Sequence, residues 1–159
     1  MRHTLEKQIK ILLQQGQSKE VIYKQLVTDS NRNELINQLN NLPRGDRKKK
    51  TFVITLFLVI LLTLLTIKQA LFVYLHGNSA FSLLLGFIAP IIHVYIIREL
   101  LLSHRLAYQL LPLLSILALF RQENRIVPDM YMYACMAVLS GALYLFLFPK
   151  KEQLHFHTQ

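Results

Sequence analysis

Apolar positions follow a helical period over residues 3–42 and then give way to four long apolar runs. In the first segment Leu5, Ile9, Leu12 and Leu13 recur at i, i+4, i+7 and i+8, the spacing of one helix face. Gly16 stops that helix. Ser18 suits the cap of a second helix, with Val21, Ile22 and Leu26 facing inward. Asp29 and Ser30 are placed to cap a third, with Leu35, Ile36, Leu39 and Leu42 inward, and Pro43 and Gly45 break the chain after it. The pattern predicts a three-helix head over residues 1–43 and a basic linker over 44–50.

The apolar runs cover about 52–75, 79–97, 106–120 and 129–148. A hydrocarbon core of about 30 Å takes roughly 20 helical residues, so the third run is short and needs help from its flanks or from local thinning. Lipid offers backbone groups no water to bond, so each run must be helical. The predicted fold is therefore all-α: a polytopic membrane protein with four transmembrane helices over 51–149, a small three-helix cytosolic head before them and a cytosolic tail over 150–159. The stretch 76–79, His-Gly-Asn-Ser, reads as a turn. Pro128 fits the first turn of the fourth helix, and Asp129 meets the positive end of its dipole. Residues 98–105 form a short charged connection, or a helical extension of the second span.

Composition agrees with this division. Apolar residues make up 53% of 159, yet only 15 fall in the first 50. That excludes a single soluble globule, a disordered chain and a disulfide scaffold. The lone Cys135, set in an apolar run, reads as a buried inert thiol. The first apolar run starts at Phe52, too late for a cleavable signal, so an uncleaved signal-anchor is expected.

Charge sets direction. With the N-terminus inside, 15 of the 18 Lys and Arg residues stay on the cytoplasmic side. Arg44, Arg47, Lys48, Lys49 and Lys50 form a juxtamembrane cluster that fixes orientation and attracts anionic lipid. The expected location is the cell inner membrane, multi-pass, with both termini cytoplasmic.

Few residues suggest chemistry. Ionisable groups inside a membrane are the default functional candidates, which singles out Lys68 and His93. Lys68 lies close enough to the outer interface to snorkel. His93 follows Pro90 and is expected to bond a carbonyl that the proline frees. Gln109 is expected to bond between helices, and Glu123 and Asp129 to sit solvated at the outer edge. Thr55, Thr63, Thr66 and Ser115 are candidate pore-lining hydroxyls, though in apolar helices such groups bond their own backbone. Met130, Met132, Cys135 and Met136 gather soft sulfur, yet packing explains them as well as Cu(I) does. His155 and His157 are two ligands where metals take three or four. The sequence contains no metalloprotease, phosphate-loop, paired-cysteine or nucleophile-elbow motif. No catalytic residue, cofactor or metal is expected. Small residues at i, i+4, Ser82 with Gly86 and Ala137 with Gly141, predict that the second and fourth spans approach closely.

The head offers partial resemblances. Residues 12–42, with Gly16, Ser18, Glu20, Val21 and Leu26, resemble the helix-turn-helix of bacterial response regulators. They are also similar to the short helical oligomerisation modules attached to bacterial membrane proteins. The first resemblance implies a DNA-binding third helix, but that helix carries Glu34 beside Arg32 and is otherwise rich in Asn and Gln. Nucleic acid is thus not the expected partner. A head of this size is marginal alone and must lean on a dimer mate, the membrane or a protein partner. The expected role is a non-catalytic subunit, scaffold or assembly partner of a larger membrane system. The rivals are a membrane-tethered DNA-binding regulator and a small transporter or channel.

Overall fold

The computed structural model describes residues 2–28, 31–76, 80–120, 127–152 and 154, with side chains 2–4, 80, 82, 85 and 151 left aside. Among the described residues it is all-α, with seven helices. The head consists of α1 (Arg2–Gln14), α2 (Lys19–Leu26) and α3 (Arg32–Asn41); the long helices are α4 (Gly45–His76), α5 (Ala80–Leu101), α6 (Arg105–Phe120) and α7 (Asp129–Leu147). A short 3-10 turn, Lys150–Glu152, ends the described chain apart from Leu154.

The head forms as its periodicity predicts. Ile9, Leu13, Ile22, Leu35, Leu39 and Leu42 close one apolar cluster between the three helices. Gly16, at φ +84°, ends α1: its N–H bonds Leu13 O at 3.2 Å and the Gln17 N–H bonds Leu12 O at 3.2 Å. This paired turn satisfies the last carbonyls and favours glycine because φ is positive. Ser18 caps α2, its hydroxyl accepting from Val21 N–H at 3.3 Å. Val21 itself is exposed, correcting its inward assignment. Asn31 is the residue at the cap position of α3; Asp29 and Ser30, expected there, lie outside the described residues.

Two helices are long and apolar enough to cross a bilayer among the described residues, α4 and α7, where the sequence predicts four spans. Helix α5, at 22 residues, follows the second predicted run, and α6, at 16 residues, rises only about 24 Å. All four long helices carry apolar side chains outward, with Leu64, Leu84, Leu117 and Leu145 more than half exposed. An exposed apolar surface of that extent marks a membrane or protein contact.

Residues 45–50 are helix rather than a linker. Gly45 opens α4, and the basic cluster from Arg47 onward occupies its first turns. Nor does the chain break at Gly45; the helix runs on for 32 residues.

Which face each long helix buries follows a near-heptad. On α4 the buried positions after Gly45 are Thr51, Thr55, Leu58, Leu62 and Leu65, with Thr66 beside the last; on α7 they are Asp129, Tyr133, Met136, Ser140, Leu143 and Leu147. Steps of alternately three and four residues make the narrow seam of helices packed at shallow angles. Ala107, Tyr108 and Leu111 of α6 and Ile96 and Leu100 of α5 complete the core.

The tight approaches differ from the predicted ones. Gly86 faces α4, not α7: a Cβ there would lie 2.6 Å from Val73 Cγ1. At Gly141 a Cβ would meet nothing within 4 Å. Ala137 is half-buried, and the Ser82 side chain lies outside the described set. The second and fourth predicted spans therefore do not make the close pair; α4 packs on α5 and α6 on α7. The small residue buried on α7 is Ser140, whose hydroxyl donates to Met136 O at 2.5 Å.

Candidate functional site at the junction of head and long helices

The polar chemistry concentrates where the head meets one end of the long helices. Two clusters form there.

The first is built by the turn after α5. Ser103 adopts φ +60°, its N–H bonding Leu100 O at 2.9 Å while the His104 N–H bonds Glu99 O at 3.0 Å. This is the same paired turn as at Gly16, here with a buried serine in the left-handed position. The turn folds the His104 ring back onto Glu99, with Nδ1 and Oε2 2.6 Å apart. The other ring nitrogen stands 3.5 Å from Glu6 Oε1 of α1. Whichever ring nitrogen carries a proton, a carboxylate is placed to accept it. Lys10 closes one end of the chain, donating to Glu6 at 2.5 Å, and Arg98 closes the other, donating to Glu99 at 3.1 Å. The Lys10 hydrogen bond holds the Glu6 carboxyl below its usual range, partial burial works against that, and the charges of Lys10 and His104 reinforce it. Sequence reading missed Glu99 and His104. Five residues apart across the end of an apolar run, they share no helix face, and only the left-handed turn brings them together.

The second cluster gathers cations around Glu152. Arg47 donates to Glu152 Oε1 at 2.6 Å and to Phe146 O at 3.1 Å. Arg44 approaches Glu152 at 3.6 Å and Asp46 at 3.7 Å. Lys19, only 6% exposed, lies close enough to feel Glu152, Arg105 and Arg47. Burial pushes its pKa down to about 8; Glu152 opposes that shift, and Arg105 and Arg47 add to it. Arg105 donates to the Tyr144 hydroxyl at 2.8 Å, and Gln109 to the same oxygen at 3.0 Å, as expected of an interhelical glutamine. The Arg105 N–H also bonds Asn41 Oδ1 of α3 at 3.1 Å.

Leu154 of the tail belongs to this junction rather than to solvent. The Asn40 side chain donates to Leu154 O at 2.8 Å and accepts from the Leu154 N–H at 2.9 Å. Leu154 packs on the head's apolar cluster. His155 and His157 lie outside the described residues.

The basic cluster thus divides. Arg44 and Arg47 are held by Glu152. Lys48 is half-buried and Lys49 and Lys50 are exposed, without ion-pair partners among the described residues.

Elsewhere, Lys68 is paired with Asp129 at the far end of the bundle. Asp129 is buried there, 8% exposed, instead of solvated; Glu123 lies outside the described residues. His93 is half-buried, and its Nδ1 has no hydrogen-bond partner among the described residues, so the expected bond to a carbonyl freed by Pro90 is absent. Thr63 and Thr66 bond their own backbone at 2.7 and 2.6 Å, while Thr55 meets the Tyr108 hydroxyl at 3.0 Å. Ser115 Oγ is buried without a partner among the described residues. Cys135 is free and half-buried, and no group of three metal-ligating side chains forms among the described residues.

Compared with known proteins, the chain matches no family model, no curated sequence and no solved structure.

Proposed function

We propose that the chain is a small inner-membrane protein with four helical crossings and both termini cytoplasmic, acting as a non-catalytic subunit, scaffold or assembly partner of a larger membrane system. The observation that carries this reading is the clamp between head and helices. The head, the turn between α5 and α6, and the tail meet at one end of the bundle through Glu6 with His104, Asn41 with Arg105, and Asn40 with Leu154. An even number of crossings puts those three segments on one side, and that side carries most of the positive charge. A head so held is useful for presenting a surface at fixed height and angle above the bilayer. Its outer face still offers Ile11 and Val21, both exposed.

Affinity purification from native membranes after mild solubilisation tests this reading. The expected result is a protein partner, or further copies of the chain, in fixed ratio. Recovery of a lone monomer at native expression defeats it.

One observation favours a second reading, a small transporter or channel. His93 Nδ1, Ser115 Oγ and Gln69 Oε1 are buried in the long helices without partners among the described residues. Ion or solute flux in proteoliposomes that disappears in His93→Ala supports that reading; flux that survives the substitution removes His93 from any pathway.

A further inference from the structure

Two cavities beside α4 share Lys48 and Phe52. The larger, about 510 Å³, lies between the end of α1 and the start of α4, lined by Gln14, Gly45, Lys48, Lys49 and Phe52. The smaller, about 110 Å³, continues past Phe52 to Thr55 and Leu56 of α4 and to Leu100, Leu101 and Ser103 at the end of α5. Together they form one groove with a chemical gradient. Lys48 and Lys49 stand at the head end; about 10–12 Å further along α4 the walls are leucine and the backed-off hydroxyl of Thr55. Thr55 is turned to Tyr108, so its hydroxyl is already engaged.

The gradient runs in a meaningful direction. Phe52 begins the uncharged stretch of α4, so Lys48 and Lys49 sit at the height of lipid headgroups and Leu56 at the first carbons of the hydrocarbon. Charge is available there as well. Arg44 and Arg47 are paired with Glu152 and Asp46, but Lys48 and Lys49 have no carboxylate partner among the described residues. A soluble anion would satisfy the lysines and leave the apolar end against water. A plain hydrocarbon chain would do the reverse. One amphiphile with a negative head satisfies both.

We infer that this groove holds one anionic glycerophospholipid of the cytoplasmic leaflet, its phosphate against Lys48 and Lys49 and the start of an acyl chain along Phe52, Leu56 and Leu101. The inference rests on the proposed membrane placement. On this reading the lipid headgroup fills the space between Gln14 and Lys48 that protein atoms leave open.

The test uses the full-length chain in mild detergent, titrated with dioleoylphosphatidylglycerol or dioleoylphosphatidylcholine and read by native mass spectrometry. The expected result is one retained phosphatidylglycerol per chain, favoured over phosphatidylcholine by about tenfold. Lys48→Gln/Lys49→Gln lowers that preference about tenfold or more, while Lys48→Arg/Lys49→Arg keeps it, which separates charge from folding. Leu56→Trp fills the apolar end and removes the adduct with the helix content unchanged. Lys24→Gln/Lys50→Gln, outside the groove, leaves it in place. Equal retention of the two lipids, equal loss in the Lys24/Lys50 control, or displacement by free glycerol phosphate at lipid concentration overturns the inference. A chain washed from membranes by carbonate defeats the membrane placement itself, whereas a chain that stays in the bilayer yet ignores lipid charge defeats the groove alone.

Discussion

Asn40 of α3 and Leu154 of the tail form a two-way hydrogen-bonded pair, side-chain amide to backbone, across 114 positions of sequence. The amide mimics a neighbouring strand for one residue, while the leucine side chain enters the head's apolar cluster. Leu154 is thereby a structural part of the head.

From that pair the first expectation follows. Two partly buried hydrogen bonds contribute about 0.5–1.5 kcal/mol each, so Asn40→Ala should weaken the head by about 1–3 kcal/mol. Leu154→Ser should cost about 1–2 kcal/mol through lost apolar burial. Hydrogen exchange of the α1–α3 amides in the full-length protein in nanodiscs reads this directly. Unchanged protection in both variants would show that the tail contributes nothing.

Gly45 and Gly141 should respond in opposite directions to alanine. A Cβ at Gly45 would sit 2.7 Å from Leu13 O and 3.1 Å from Gln14 Cα, and backbone does not move aside as a side-chain tip does. Gly45→Ala should therefore force α1 away from α4 at a cost of about 1–3 kcal/mol, although alanine is the better helix former. At Gly141 nothing stands within 4 Å, so Gly141→Ala should be neutral or stabilising by up to about 1 kcal/mol. Thermal unfolding in detergent decides; the same sign at both sites would refute the packing described.

Lys19 makes stability depend on pH in an unusual direction. Burial lowers its folded pKa to about 8 from an unfolded value near 10.5, so between those values the unfolded chain binds more protons. Stability should rise as pH climbs from about 8 to 10.5, and below about 8 the full cost of burying the charge remains. Lys19→Met removes that cost while keeping the volume. It should stabilise the head at pH 7 by about 1–3 kcal/mol and flatten its pH dependence in that window. A destabilised Lys19→Met with an unaltered pH profile would mean that the ammonium is needed by Glu152.

At the far end of the bundle, Lys68 and Asp129 should be coupled more strongly than an exposed pair. Exposed pairs contribute about 0–1 kcal/mol, but the Asp129 side chain is only 11% exposed. Removing Lys68 strands a buried carboxylate, relieved only in part by the start of α7. A double-mutant cycle with Lys68→Ala and Asp129→Ala should give a coupling of about 1–3 kcal/mol. A value below about 0.5 kcal/mol would place the pair among incidental surface contacts.

The head was legible because its apolar residues are sparse. With polar residues on every other face, the positions of Ile9, Ile22 and Leu39 could only point inward; Gly16 marked one end by a positive φ and Ser18 the next by its capping hydroxyl. The long apolar helices were legible for their length and for little else. When nearly every position is apolar, hydropathy cannot say which face is buried, and small-residue spacing selected Gly141 although that face is open. The better markers were the hydroxyls: Thr51, Thr55, Thr66, Ser115 and Ser140 are all buried between the helices.

Sequence by itself thus determined the all-helical class, the head's core and the gathering of positive charge at one end, since each depends on local pattern and on solvent preference. Tertiary structure alone decided that residues 45–50 are helix, that Glu99 meets His104 and then Glu6, that Asp129 finds Lys68, and that Leu154 completes the head. Those contacts join groups far apart in the chain, or on opposite sides of a turn. Their energy depends on the distance between atoms and on how much water is excluded, and neither quantity is written in the order of residues.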